Sequence, residues 1–83
     1  MKQTYIQQLA TTLSSLSTPA EVTEFLKGIL TPKELAEISL RLQIVKQLKE
    51  GISQRKISEN LGVGLATITR GSKELQNGKF KNV

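Results

Sequence analysis

The 83-residue sequence contains no cysteine, histidine, aspartate or tryptophan. Without Cys and His, the chain lacks disulfides, the thiolate and imidazole ligands of zinc sites, and the Ser-His and Cys-His pairs of nucleophilic enzymes. The side chains left for proton transfer are those of seven Glu, one Tyr and the Lys residues. We therefore expect no metal site and no enzymatic activity.

Long apolar runs are also missing. The first nine residues, MKQTYIQQL, contain neither the apolar stretch of a signal peptide nor that of a membrane span. A cytoplasmic protein without a membrane partner is the expectation. The length predicts a single domain over residues 1–83, and at 37% apolar content so short a chain has little core of its own.

The charge is divided unevenly along the chain. Residues 1–40 carry three Lys against four Glu, net −1, whereas residues 41–83 carry nine Lys and Arg against three Glu, net +6. The total of +5 therefore comes from the C-terminal half. Such asymmetry fits a polyanionic partner, although a solvated basic face is the alternative.

Three helices are predicted in the first fifty residues, at 3–16, from Pro19 to near Leu30, and from Pro32 to Gly51. The second and third each begin with a capping box, Thr-Pro-x-Glu. The third helix is apolar on more than one side, which suits either the centre of a monomer or a dimer interface. Because the chain is short, residues 1–50 are interpreted as dimerisation helices of a homodimer.

The spacing of residues 53–76 predicts a helix-turn-helix. Ser53 would cap a short helix, Gly62 would supply the positive φ of the turn, and a second helix would begin near Leu65. This arrangement presents the start of the second helix to the major groove of double-stranded DNA. The alternative is an ordinary helical hairpin, which the basic charge disfavours. The expected DNA contacts are Gln54, Arg55, Lys56, Gly64, Leu65, Ala66, Thr67, Thr69 and Lys73, and residues 77–83 are predicted to be a flexible tail.

Three stretches together form a recognisable pattern: Leu30-Thr31-Pro32, LRLQIV over 40–45, and GVGLATITRGS over 62–72. They resemble the tryptophan repressor family. The run over 66–72 is the most specific, because a generic helix-turn-helix prefers an apolar residue where Gly71 lies. The resemblance implies an all-α, intertwined homodimer that represses transcription by binding a double-stranded DNA operator.

The resemblance also implies a site for L-tryptophan as corepressor. In that family an indole ring lies between two Arg side chains, which match Arg41 and Arg70 here. A planar guanidinium stacks on an aromatic ring and also binds a carboxylate. The carbonyls that end the second helix would meet the ligand's amino group, because helix C-termini favour cations. The implied ligand residues are Gly28, Leu30, Thr31, Arg41, Val45, Arg70, Gly71 and Glu74.

The chain departs from the family pattern at three places. Glu74 replaces a hydroxyl residue, and its carboxylate would either pair with the ligand's ammonium or repel its carboxylate. One residue is missing near Gly51, and the family's last helix has almost no counterpart after Gln76. Two alternatives to a tryptophan-dependent repressor therefore stay open: a ligand-independent DNA-binding regulator, with Arg41 and Arg70 at the surface or on phosphates, and a helical protein-interaction module that does not bind DNA.

Overall fold

The computed structural model describes residues 2–83, so Met1 of the predicted domain lies outside the described residues. Its elements are α1 (Gln3–Ser15), α2 (Pro19–Ile29), α3 (Pro32–Lys49), α4 (Gln54–Leu61) and α5 (Leu65–Gln76). No strand occurs over residues 2–83. The predicted all-α fold is confirmed, and each helix begins and ends within about two residues of its predicted bounds, the uncertainty usual for helix ends.

The chain divides into two compact units, one up to Leu35 and one from Ala36 to Val83. The first contains α1 and α2, and the second contains α4, α5 and most of α3. The division into dimerisation helices over 1–50, a helix-turn-helix over 53–76 and a tail over 77–83 stays a prediction.

Reciprocal hydrogen bonds begin both α2 and α3, as the two capping boxes predict. Thr18 Oγ1 accepts from the Glu21 N–H at 3.2 Å, and Glu21 Oε1 accepts from the Thr18 N–H at 3.1 Å. Thr31 and Glu34 repeat the pattern at 3.1 and 2.9 Å. The bonds from the Thr31 backbone and then its side chain hold the pKa of Glu34 below its ordinary value.

Gly51 ends α3, as its position in the sequence predicts. It adopts φ +81°, which is unfavourable for residues with a Cβ. The Ile52 N–H then bonds the Gln47 carbonyl at 3.1 Å, and the Gly51 N–H bonds the Leu48 carbonyl at 3.0 Å. This pair of bonds is a Schellman motif, which satisfies carbonyls that the helix leaves without partners.

The helix-turn-helix is built by three local features. Ser53 caps α4, its Oγ accepting from the Lys56 N–H at 3.2 Å. Gly62 takes the left-handed conformation, with φ +67° and ψ +33°. Ser58 Oγ donates to the Val63 carbonyl at 2.6 Å, so a side chain within α4 also holds the turn.

The core of the second unit is formed by Ile44, Ile57 and Ile68, one from each of α3, α4 and α5. Half-buried side chains surround them, namely Leu40, Leu48, Ile52, Leu61 and Val63. Two other apolar residues of α3, Ile38 and Leu42, are 45% and 41% exposed. Successive residues of a helix are about 100° apart, so Leu42 and Ile44 lie on opposite sides of α3.

Neither α1 nor α2 contains a buried residue. Tyr5, Ile6 and Leu9 of α1 and Ile29 of α2 are all exposed, although the three residues of α1 have the spacing of an apolar helix face. Over residues 2–83, no helix combines the length and the apolar character that crossing a membrane requires.

Candidate nucleic-acid interface and ligand cleft

The amino-terminal end of α5 is open to solvent. Leu65, Ala66 and Thr67 are all exposed, and Gly64, which precedes them in an extended conformation, has no side chain to cap the helix. The first N–H groups of a helix carry partial positive charge, which attracts anions. This end of α5 therefore combines anion attraction with small and apolar side chains suited to base edges.

A side-chain hydrogen bond joins α4 to α5. Thr69 Oγ1 donates to Gln54 Oε1 at 2.9 Å, and Gln54 is half-buried. Both residues were predicted to contact DNA. The amide N–H groups of Gln54 are not used in this bond, so the amide can still donate to a phosphate or a base.

Three predicted DNA-contacting cations are exposed. Arg55 and Lys56 lie in the first turn of α4, and Lys73 lies in the last turn of α5. Lys56 approaches Glu59 at 3.9 Å, but such an exposed ion pair contributes little stability. These cations are therefore accessible to phosphates.

A cleft of about 350 Å³ lies in the second unit, between side chains of α3 and α5. Five of the eight predicted ligand residues line it: Arg41, Val45, Arg70, Gly71 and Glu74. The rest of its lining is formed by Ile44, Thr67 and Phe80. The structure thus brings together residues 29 positions apart in sequence, Arg41 and Arg70, on one cavity.

The lining of this cleft is divided by chemistry. Ile44 and Val45 are buried and form an apolar floor, whereas Arg41 and Arg70 are exposed. Two Arg residues and one carboxylate residue, Glu74, line the cleft. An apolar floor bordered by guanidinium groups suits a flat ring that carries a carboxylate.

Gly71 allows α5 to approach α3 closely. A Cβ at this position would lie 3.3 Å from Ile44 Cγ2 and 3.7 Å from Leu48 Cδ1, and the first of these is tighter than most contacts of this kind. The absent side chain therefore serves helix packing as well as the cleft. This explains in physical terms why an apolar residue does not occupy the position.

Gly28, Leu30 and Thr31 belong to the first unit, and none of them lines the cleft. Leu30 caps the end of α2, its N–H bonding the Leu26 carbonyl at 2.9 Å. Thr31 is engaged in the capping box of α3. The role of these three residues in ligand binding stays a prediction.

Thr67 connects the cleft to the DNA-contacting end of α5. It lines the 350 Å³ cleft, and it also lines a second, adjoining cleft with Val63 and Gly64, residues of the turn. The sequence predicted Thr67 as a DNA contact alone. Helical spacing puts Thr67 and Arg70 three residues apart on one side of α5, and this spacing could have indicated the additional role.

Phe80 was not predicted as a ligand residue, since residues 77–83 were assigned to a flexible tail. The structure describes turns over residues 77–82, and the mobility of this tail stays a prediction. Asn77-Gly78 directly after α5 is typical of a helix end that reverses the chain, so the sequence could have indicated the turn. It could not have indicated that Phe80 lines the cleft.

Comparison with known proteins gives consistent matches. The model of the family described as Trp repressor protein matches residues 4–82. A Trp operon repressor homolog of Photobacterium profundum is 57% identical over 53 residues, which cover 63% of this chain and 52% of that protein. Homologs of the same name from Vibrio campbellii and Aliivibrio fischeri are 50% identical over 50 residues and 39% over 71 residues. These alignments cover 59% and 84% of this chain, and 50% and 66% of the two relatives.

The chain spans about half the length of most of the curated relatives it matches, at 52% and 50% for the first two. No solved structure gives a significant match.

Proposed function

Because the chain belongs to the Trp repressor protein family, we propose that it is a sequence-specific, DNA-binding transcriptional repressor that acts as a homodimer with L-tryptophan as corepressor. A regulator of this kind is not an enzyme. It would act in the cytoplasm, where it has access to its DNA operator. The observation that carries the proposal is the Gly62 turn: the amino-terminal end of α5 after it is exposed, and so are the cations Arg55 and Lys56 of α4.

In the proposed DNA complex, α5 enters the major groove with its amino-terminal end. Ala66 and the methyl groups of Leu65 and Thr67 suit contact with thymine methyl groups, and the Thr hydroxyls suit hydrogen bonds to base edges. Arg55, at the start of α4, suits the phosphates that flank the groove. In this proposal the start of α5 supplies sequence recognition, and the exposed cations of α4 and α5 supply general affinity.

Exposed apolar side chains support the homodimer. Tyr5, Ile6 and Leu9 on α1 and Ile38 and Leu42 on α3 remain 41–59% exposed in the single chain. Apolar surface of this kind is stabilised when a second copy covers it. Two copies would present two α5 helices to successive major grooves, about 34 Å apart along the duplex.

The cleft supports the proposal of L-tryptophan as corepressor. Its volume of about 350 Å³ is within the range of small-molecule sites, about 300–1,000 Å³. Arg41 and Arg70 would hold the indole ring and the carboxylate, and Glu74 would hold the ammonium. Because α3 and α5 both line the cleft, a ligand bound there would restrain α5 relative to the core of the dimer and so favour the separation that DNA requires.

We expect base contacts and phosphate contacts on DNA to be separable by mutation. Thr67→Ala should weaken binding to a selected operator duplex about tenfold but change binding to random duplex little, because base contacts carry the sequence information. Arg55→Ala and Lys73→Ala should weaken both, because they remove phosphate contacts. Fluorescence anisotropy with labelled duplexes at several salt concentrations measures both quantities.

The salt dependence provides the control for this experiment. Arg55→Ala should reduce the slope of log affinity against log salt by about one, whereas Thr67→Ala should leave the slope unchanged. Equal losses on both duplexes by all variants would contradict the assigned roles. Binding that does not weaken with salt would favour a protein-interaction module instead.

We expect Glu74 to stabilise the bound ligand. Its half-buried side chain lines the cleft, so its carboxylate is placed to pair with the ammonium group of L-tryptophan. Glu74→Ala should weaken L-tryptophan binding about tenfold or more, as expected for loss of a hydrogen bond to a charged group. Isothermal titration calorimetry measures the change. Tighter binding by Glu74→Ser than by the wild type would mean instead that the carboxylate blocks the site.

A further inference from the structure

The turns after α5 carry an aromatic ring to the cleft. Gly78 adopts φ +88°, and the Lys79 N–H bonds the Glu74 carbonyl at 3.1 Å, so the chain reverses its direction at the end of α5. Two residues after the glycine, Phe80 lines the cleft that Arg70 and Glu74 also line. The reversal thus returns the tail to the helix from which it came.

A lysine of α3 holds this placement. Lys49 Nζ donates to the Phe80 carbonyl at 2.8 Å and also to the Val83 carbonyl. Phe80 itself has φ +64°, a conformation that is uncommon for a residue with a Cβ and is maintained here by its neighbours. Lys49 is the last residue of the helix that supplies Arg41 and Val45, so the tail is fastened to the same element as the cleft.

Phe80 borders the cleft and does not fill it. The cavity of about 350 Å³ is present with the ring in place, and the Phe80 residue is 38% exposed. Among the described residues that line the cleft, Phe80 is the one aromatic, and the apolar floor is aliphatic. A ring at this position offers a bound aromatic ligand an edge or a face to pack against. Such aromatic pairs are stabilised by more than the free energy that their buried area provides.

We propose that Phe80 makes this cleft selective for a flat aromatic ligand over an aliphatic one of similar size. The proposal rests on the proposed function, because it takes the cleft to be the ligand site. Lys49 is a positioning residue in this scheme, since it acts through the Phe80 carbonyl and does not line the cleft.

The test compares an aromatic with an aliphatic amino acid. L-tryptophan is titrated calorimetrically into the wild type and Phe80→Leu, and L-leucine is measured by competition in the same samples. Phe80→Leu keeps an apolar side chain but removes the ring, so L-tryptophan should bind about fivefold more weakly while L-leucine changes less than about twofold. Lys49→Met should also lower the preference for L-tryptophan over L-leucine. Combined with Phe80→Leu, it should cause no further loss of this preference.

Lys81→Ala is the matched control, because it alters the same turns at a residue that does not line the cleft. It should bind L-tryptophan as the wild type does, and circular dichroism should show the same helix content for every variant. If Phe80→Leu binds L-tryptophan as tightly as the wild type or more tightly, the proposed role of Phe80 is wrong. This result would not contradict the ligand site itself. No L-tryptophan binding by the wild type itself would overturn both the corepressor site and this proposal, while leaving DNA binding untouched.

Discussion

Replacement of Arg70 by alanine is expected to abolish L-tryptophan binding at concentrations that saturate the wild type, with the fold retained. Arg70 lines the cleft and is exposed, so its loss removes no part of the Ile44–Ile57–Ile68 core. A hydrogen bond to a charged group contributes about 1.5–3 kcal/mol, and a guanidinium over a ring contributes about 0.5–2 kcal/mol more. Since about 1.4 kcal/mol corresponds to a factor of ten, Kd should rise about a hundredfold or more.

The chain provides an unusually clean measurement of this effect. It contains no Trp, so added L-tryptophan is the source of indole emission in the sample. Transfer of the indole from water into the wild-type cleft should shift that emission and release heat, and Arg70→Ala should show neither change.

Arg55→Ala is the matched control, because it removes an exposed arginine that does not line the cleft. It should bind L-tryptophan like the wild type while binding DNA more weakly. Equal ligand binding by Arg70→Ala and the wild type would place the ligand elsewhere. No heat and no emission shift with either protein would leave a ligand-independent DNA-binding regulator.

Leu42→Glu is expected to convert the proposed homodimer to a monomer. Leu42 is 41% exposed in the single chain and lies away from the core that α3 shares with α4 and α5. In the proposed dimer its face of α3 is covered by the second copy, so twofold symmetry would bury two carboxylates. An unpaired buried charge costs several kcal/mol, so the dissociation constant should rise by about a thousandfold or more.

Sedimentation equilibrium at micromolar protein measures this effect, with Gln43→Glu as the matched control. Gln43 is an exposed polar residue of the same helix, about 100° around from Leu42, and the substitution adds the same charge. The control should stay dimeric. A folded wild-type monomer at micromolar concentration, or dissociation of both variants alike, would contradict the assigned interface.

Local features of the fold could be predicted because local chemistry determines them. Thr18 and Thr31 each begin a helix because a Glu follows three residues later. The reciprocal hydrogen bonds of such a pair involve only one turn of the chain. Gly51 and Gly62 end helices because they adopt positive φ without steric cost. Most of the candidate DNA-contacting residues could be chosen from these helix boundaries, because they lie in the first turns of α4 and α5.

The two faces of α3 could not be told apart in the same way. Ile38, Leu42 and Ile44 are all apolar, and their spacing shows only that the helix has more than one apolar side. Packing of α4 and α5 decided that Ile44 is buried within the chain and that Leu42 stays exposed. Hydrophobicity drives burial without specifying the partner, so composition and periodicity cannot make that choice.

The residues of the cleft also could be predicted only in part. Arg41 and Arg70 were identified as a pair by resemblance, and Gly71 by its position in the motif. The sequence does not show that a Cβ at Gly71 would lie 3.3 Å from Ile44, a close contact that favours glycine. The placement of Phe80 depends on a hydrogen bond to Lys49, 31 residues earlier in the chain. Caps, turns and helix periods are interactions over a few residues and are encoded locally, whereas the position of a side chain on a cavity depends on contacts between distant segments, which tertiary packing alone decides.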